Sequence, residues 1–190
     1  MLILPEVFEQ TWEVAAAPFW PGALQTVRRH LPAFLFLAEV YWDLEWTLQE
    51  QGFDFCYDKR LYDRLIACPA RPVREHLHAD QDYQGRLVRF LENHDEPRAA
   101  CRFLPEVHRA AAVLTFFVPG MRLFHQGQLE GARIRVPLHL GRQPEEPVNR
   151  DIRSFYARLL RCLKDPVFRE GRWQLLECLP AWDGNWTWDN

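Results

Sequence analysis

Three short stretches of this 190-residue chain collect side chains that can move protons or hold hydroxyl groups. One apolar run ends at Glu39 and is followed by Tyr41, Trp42 and Asp43. A second stretch reads Glu92-Asn93-His94-Asp95, and a third reads His125-Gln126-Gly127-Gln128 with Glu130 close behind. Paired carboxylates with aromatic rings nearby suit glycoside cleavage, where one protonated acid gives its proton to the departing oxygen and negative charge stabilises an oxocarbenium-like transition state. An apolar neighbourhood keeps a carboxyl protonated near neutrality. Glu39, following Phe34-Leu35-Phe36-Leu37-Ala38 and flanked by Tyr41 and Trp42, is the better acid, and Asp95 beside Asn93 and His94 has the polar setting of an ionised group. Plainer readings stand beside these: Glu39 as a loop ion-pair partner, Asp95 as a cap for the helix after Pro97, His94 as a structural histidine, and the C-terminal tryptophans as core.

The elements that must position these residues are legible in the hydrophobic pattern. Apolar runs at 33–41, 53–57, 86–91 and 121–125 read as buried strands. They alternate with segments of helical period at 18–30, 44–51, 104–117 and 151–163. This alternation predicts an α/β architecture with a parallel sheet. In such a sheet the C-terminal strand ends share one face, so the three clusters converge there. The second run ends in Tyr57, Asp58 and Lys59 and is a weaker contributor. Residues 142–149 (RQPEEPVN) form a polar, proline-rich connection. Beyond Pro166 the pattern changes: residues 173–178 and 182–188, with a turn at Asp183-Gly184 or Gly184-Asn185, read as a hairpin or as two strands of an appended sheet.

Composition narrows the class of partner. At 48% hydrophobic and 26% charged residues the chain has material for a core and is not disordered. With 23 Lys+Arg against 26 Asp+Glu, no basic excess points to nucleic acid and no acidic tail to a basic partner. Five cysteines, an odd number with no Cys-x-x-Cys pair, exclude a fully paired intrachain set and fit a reducing, cytoplasmic compartment. The opening residues have the form of neither a signal peptide nor a membrane span. No cofactor or metal-ligand spacing stands out.

The segments AEVYWDLEW (38–46), FLENHDEPR (90–98) and PGMRLFHQGQLEG (119–131) resemble, in order, three sequence regions of the alpha-amylase family of glycoside hydrolases. That family is a (β/α)8 TIM-barrel group, and the resemblance covers roughly residues 1 to 165. It implies that Glu39, ending the fifth strand, is the general acid/base. It implies that Asn93, His94 and Asp95 end the seventh strand, with His94 and Asp95 binding the sugar where cleavage occurs and Asp95 stabilising the transition state. Gly127, Gln128 and Glu130 match a Gly-Gln-Glu-like element of the eighth strand with one extra residue. Tyr41 and Trp42 are then stacking residues at flanking subsites.

One departure matters more than the matches: the family's nucleophile is an Asp on the fourth strand, usually two residues after an Arg, and no Arg-x-Asp precedes Glu39. The resemblance therefore implies the second half of the barrel, about strands 5 to 8, over residues 1–166, with residues 167–190 beginning a β-sandwich domain. The expected chain is a fragment of a retaining enzyme acting on α-glucan or oligosaccharide. It would lack the upstream nucleophile and the N-terminal half of the barrel, and would be inactive alone. Calcium is open for the full-length enzyme. Two alternatives remain: a non-catalytic carbohydrate-binding or assembly protein that kept the clusters, and a misassigned start codon.

Half a barrel leaves two open sheet edges and an inner face without opposing strands. The isolated chain is therefore expected to associate or to be poorly soluble. Light scattering after size exclusion checks this, and a monodisperse monomer with a sharp cooperative melt would contradict it.

Overall fold

The computed structural model describes residues 4–41, 43–137, 139 and 142–187. The chain divides into two units, Met1–Tyr57 and Asp58–Asn190.

The first unit runs α1 (Leu4–Trp12), α2 (Phe19–His30), β1 (Leu37–Ala38), α3 (Glu45–Glu50) and β2 (Phe55–Tyr57). Strands β1 and β2 pair in parallel, Leu37 with Phe55 and Ala38 with Cys56. Helix α2 starts after Pro18 and ends in Arg28, Arg29 and His30, cations that suit the negative end of the helix dipole. Its apolar side packs Leu24 against Ala38, Val40, Leu48, Phe53 and Cys56. Arg28 donates to Asp54 Oδ2 at 2.7 Å and to the Gly52 carbonyl at 2.8 Å. Asp54 Oδ2 also accepts from the Phe36 amide at 2.7 Å, so one carboxylate ties α2 to the entry of both strands. Gly52 turns the chain out of α3 at φ +104°, a conformation that favours glycine.

The second unit runs α4 (Lys59–Ala67), α5 (Ala70–Leu77), α6 (Gln81–Gly85), β3 (Leu87–Arg89), α7 (Ala99–Arg102), α8 (Pro105–Phe116), β4 (Met121–Arg122), α9 (Arg150–Cys162) and α10 (Val167–Glu170). Strands β3 and β4 are parallel, Val88 opposite Met121 and Arg89 opposite Arg122. The core gathers Leu61 and Leu65 of α4, Val73 of α5, Ala111, Ala112 and Phe116 of α8, and Tyr156 and Leu159 of α9. Each unit is thus α/β with a parallel strand pair, and no helix of the described residues is long and apolar enough to cross a membrane. All five cysteines are free thiols, with only Cys56 buried.

All four expected strands are present but only two or three residues long, and the four helices expected from periodicity occur within a residue or two of their anticipated ends. Residues 59–85, where no element was expected, hold three short helices. Asp58 caps α4 by accepting from the Leu61 amide at 3.1 Å, and Cys68 ends it in the left-handed region at φ +66°. Asp80 likewise caps α6 through the amides of Asp82 and Tyr83. The hairpin expected over 173–178 and 182–188 differs from the structure: the described residues 172–187 contain no strand, and Trp188 lies outside the described residues. A strand needs a ladder partner. Here Leu176, Leu179, Trp182 and Trp186 are exposed, and none of the described strands pairs with this segment.

Arg89, inside β3, is fully buried, and its guanidinium meets the buried carboxylate of Asp58. His76 Nε2 lies 3.0 Å from Asp58 Oδ2, and Arg64 donates to His76 Nδ1 at 2.6 Å. With Nδ1 accepting, the imidazole carries its proton on Nε2 and donates to Asp58. Burial works against the ionised carboxyl, but Arg89 and His76 together hold Asp58 below the usual carboxylate range. Gln84 completes the cluster, donating to the His76 carbonyl at 2.7 Å and accepting from Arg89, which also donates to the Pro119 carbonyl at 2.8 Å. Gly120 follows at φ +121°, and a Cβ there would sit 2.4 Å from the Leu87 carbonyl oxygen.

A second buried chain links β4 to α8 and α9. The His125 amide donates to Gln128 Oε1 at 3.2 Å, Gln128 Nε2 donates to the Tyr156 hydroxyl at 3.0 Å, and Tyr156 reaches His108 Nε2 at 2.8 Å. When Tyr156 donates its O–H to Nε2, neutral His108 carries its proton on Nδ1. Burial, helped by Arg109, pushes His108 down to about 4. The unfolded chain therefore binds a proton below pH 6.5 that the folded chain refuses until about pH 4. Stability that is present above pH 6.5 is lost as pH falls through this window, by about 2 kcal/mol at pH 5. Urea midpoints at pH 7 and pH 5 test this: His108→Gln is expected to reduce the fall between the two, and an unchanged fall would show that His108 is not its source.

Candidate active site

Strand β1 delivers Glu39. Ala38 and Val40 are buried, so the alternation of an extended chain turns Glu39 outward, where it is exposed. Tyr41 donates its hydroxyl to Glu39 Oε1 at 2.9 Å, and Asp43 then reverses the chain at φ +64°. The apolar enclosure expected from the preceding run is not what surrounds this carboxyl within its own unit: Phe34, Leu35 and Leu37 are themselves exposed. Trp42, expected as a stacking residue, lies outside the described residues.

In the second unit, the chain leaving β3 carries Glu92, Asn93, His94 and Asp95. Asn93 is only 2% exposed. Its Oδ1 accepts from the amides of Asp95 at 2.9 Å and Glu96 at 2.8 Å, an Asx turn, while its Nδ2 is buried with no partner. Through its Oδ1, Asn93 therefore shapes the loop. The turn leaves the side chains of the next two residues partly open to solvent. His94 Nε2 lies 3.4 Å from Asp95 Oδ2, and Arg135 lies 3.9 Å from Asp95 Oδ1. Asp95 does not cap the following helix, because the amide of Ala99, the first residue of α7, donates to Glu92 Oε2 at 2.7 Å. Glu39 and Tyr41 thus belong to the first unit, and Asn93, His94 and Asp95 to the second.

Glu92 and Arg98 received no role from the sequence, yet they hold this loop. Both are buried, and Arg98 donates to Glu92 Oε1 at 2.6 Å. Arg98 also donates to the carbonyls of Gln126 at 2.6 Å and Ile134 at 3.1 Å, and to His125 Nδ1 at 2.9 Å. One guanidinium therefore fixes the loop after β3 and the loop after β4 against each other. His125 lies 3.4 Å from the same Glu92 oxygen. Burial and the Arg98 charge push its pKa down, outweighing Glu92, which agrees with a neutral ring accepting at Nδ1. Gly127 belongs to this geometry: at φ +87°, a Cβ there would lie 3.0 Å from the Ala132 methyl and 3.4 Å from Arg98. The signal in the sequence was an Arg six residues beyond Glu92, just past Pro97, which has meaning only once the loop is seen to fold back.

Chemically, this unit offers an exposed carboxylate beside a half-buried imidazole on one loop, able to accept from and donate to vicinal hydroxyls. No protein-family model and no curated protein sequence matches the chain. Solved structures do. The chain is similar to a maltogenic alpha-amylase from Thermotoga neapolitana (22% identity, TM-score 0.60, 86% of this chain and 42% of that one). It is similar to a debranching enzyme from Nostoc punctiforme soaked with acarbose (19%, TM-score 0.67, 88% and 41%) and to an alpha-amylase from Lactobacillus plantarum (22%, TM-score 0.56, 83% and 43%). At these identities the likeness is one of fold, that of amylase-type TIM-barrel enzymes, and this chain spans about two fifths of each.

Removing the guanidinium of Arg98 strands the buried Glu92 charge. Arg98→Met is expected to lower unfolding stability by about 3 to 5 kcal/mol. Arg98→Lys should recover part of the loss, since an ammonium keeps the charge but cannot span several acceptors as a planar fork does. Urea denaturation checks both, and an Arg98→Met protein within about 1 kcal/mol of the parent would overturn the clamp, since exposed pairs contribute no more than that.

Proposed function

We propose that the chain is the strand-5-to-8 portion of a retaining glycoside hydrolase of the alpha-amylase family, acting on α-glucosidic linkages in an α-glucan or oligosaccharide. The observation that carries this is positional: Glu39 directly follows β1, and Asn93-His94-Asp95 lies in the loop that follows β3, in a fold shared over 83 to 88% of the chain with alpha-amylases and a debranching enzyme. The C-terminal ends of parallel barrel strands are where such folds place chemistry.

In this reading Glu39, as the carboxylic acid, protonates the glycosidic oxygen as the bond to the anomeric carbon breaks. It then takes a proton from the attacking water, or from an acceptor sugar, in the second step. Tyr41, hydrogen-bonded to Glu39, orients that carboxyl. The Asp95 carboxylate accepts from sugar hydroxyls and stabilises the positive charge developing on the ring. His94 donates to a neighbouring hydroxyl, and Asn93 holds the turn that presents both. The nucleophile comes from a carboxylate outside these 190 residues, since no Arg-x-Asp precedes Glu39. The 190 residues alone then carry half of the chemistry and turn over no glucan. Residues 1–166 contribute to the barrel, and residues 167–190 lead toward a following β-rich domain.

The experiment is Glu39→Gln in a polypeptide that carries the upstream strands. Turnover of maltooligosaccharides is expected to fall by about 10²- to 10⁴-fold, the range of general acid–base catalysis. Glucosyl fluoride, whose leaving group needs no protonation, should be affected far less in the first step. Equal losses on both substrates, or parental activity on maltooligosaccharides, would remove Glu39 from the acid/base role.

A further inference from the structure

A second cavity of about 310 Å³ lies in the Asp58–Asn190 unit, lined by residues from the start of α8, the start of α9 and the segment around Arg133. It is separate from the residues assigned above to sugar chemistry. Three features of its lining point toward one kind of ligand.

The first is His108. The residue is 3% exposed and lines the cavity. Its Nε2 lies 2.8 Å from the Tyr156 hydroxyl, which also accepts from Gln128, and when that hydroxyl donates to Nε2 the ring proton sits on Nδ1. Nδ1 has no hydrogen-bond partner among the described residues. An N–H donor on a ring that lines the cavity can meet an acceptor there.

The second is cationic charge. Arg109 is exposed and makes no ion pair or hydrogen bond among the described residues. Arg133 is anchored by Nη1, which donates to the Ala100 carbonyl at 2.8 Å, leaving the rest of its guanidinium open. The third is Asn149, whose Oδ1 accepts from the amides of Asp151 and Ile152 at 3.1 Å each, which turns its Nδ2 donor away from the helix. Against these donors the lining holds one carboxylate, Asp151, and an apolar side that includes Phe103 and Phe155.

We propose that this cavity binds a phosphate monoester of a small polyol, such as a sugar phosphate. The phosphate oxygens accept from Arg109, Arg133 and His108 Nδ1–H, an arrangement that suits a multiply charged acceptor better than a neutral sugar. Asp151 then accepts from a hydroxyl of the polyol, and the phenyl rings lie along its carbon face. The volume is at the lower end for ligand cavities, which fits a monosaccharide derivative and not an oligosaccharide. The proposal concerns a site apart from Glu39 and Asp95, so it stands or falls independently of the glycosidase reading.

The test uses the 190-residue chain, titrated separately with glucose 6-phosphate, inorganic phosphate and glucose, by calorimetry and by the NMR signals of the His108 ring. Glucose 6-phosphate is expected to saturate at about 1 mM or tighter, to move the His108 signals with the same midpoint, and to bind at least about tenfold more weakly to Arg109→Gln, the loss of one charge-assisted contact. Inorganic phosphate binding more weakly than the ester at the same residues supports the polyol contact, and inorganic phosphate alone binding there would overturn the polyol part. Glucose binding as tightly as its phosphate, no saturable binding of any of the three, or an affinity unchanged by Arg109→Gln would each overturn the site. Arg109 is exposed on α8, so its substitution leaves folding intact, and matching thermal melts verify that.

Discussion

A buried guanidinium must be answered by a carboxylate, and the second unit is organised by that requirement at two places. Strand β3 is three residues long and includes an arginine with no exposed surface. An isolated ion in that position costs several kcal/mol. Asp58 supplies the opposite charge from the N-terminus of α4, and His76, Gln84 and the Pro119 carbonyl take up the remaining donors and acceptors. A strand too short to be secured by ladder hydrogen bonds is thereby secured from its side chains. Beyond the strand the same solution recurs with Arg98 and Glu92, and here it holds the loops. Because Arg98 also binds the Gln126 and Ile134 carbonyls, the loop that presents His94 and Asp95 cannot shift without moving the loop after β4.

These clusters separate two jobs that look alike in the sequence. Glu92, Asn93, His94 and Asp95 are four consecutive polar residues, yet the first two are buried and hold the backbone while His94 is half-buried and Asp95 exposed. Asn93 shows how the division is made. Its side chain accepts from the amides two and three residues on, a local turn that projects the following side chains outward. In the same way Gln128, from the Gly-Gln-Glu-like element, is buried and passes a hydrogen bond to Tyr156, which in turn meets His108 Nε2. The rigidity of the face and the open donor of the second cavity come from one set of polar contacts.

Much of this was legible beforehand. The strands and long helices were visible because apolar runs and the 3.6-residue period survive in 33–41, 86–91, 105–116 and 150–162. The three short helices between Lys59 and Gly85 were not, because each is only five to nine residues long, and their ends are set by single residues, Asp58, Cys68 and Asp80, that read equally well as loop. The tail from Trp173 misled for the opposite reason: an alternating apolar pattern is a statement about what could pair, and without a partner strand Leu176 and Leu179 stay exposed. For the site, residue types and order pointed to Glu39, His94 and Asp95, whereas Arg98 could only be found from the fold, since its partners lie six, 28 and 36 residues away.

The proposed function is a division of labour, in which this chain would supply the acid/base and the stabilising carboxylate and the nucleophile would lie elsewhere. Incubating the 190-residue chain with a mechanism-based 5-fluoroglucosyl fluoride, followed by mass spectrometry of the intact chain and its peptides, tests it directly. The expected result is a chain of unchanged mass. A glycosyl adduct on Asp95 or Glu39 would show that the 190 residues hold their own nucleophile and would contradict the account.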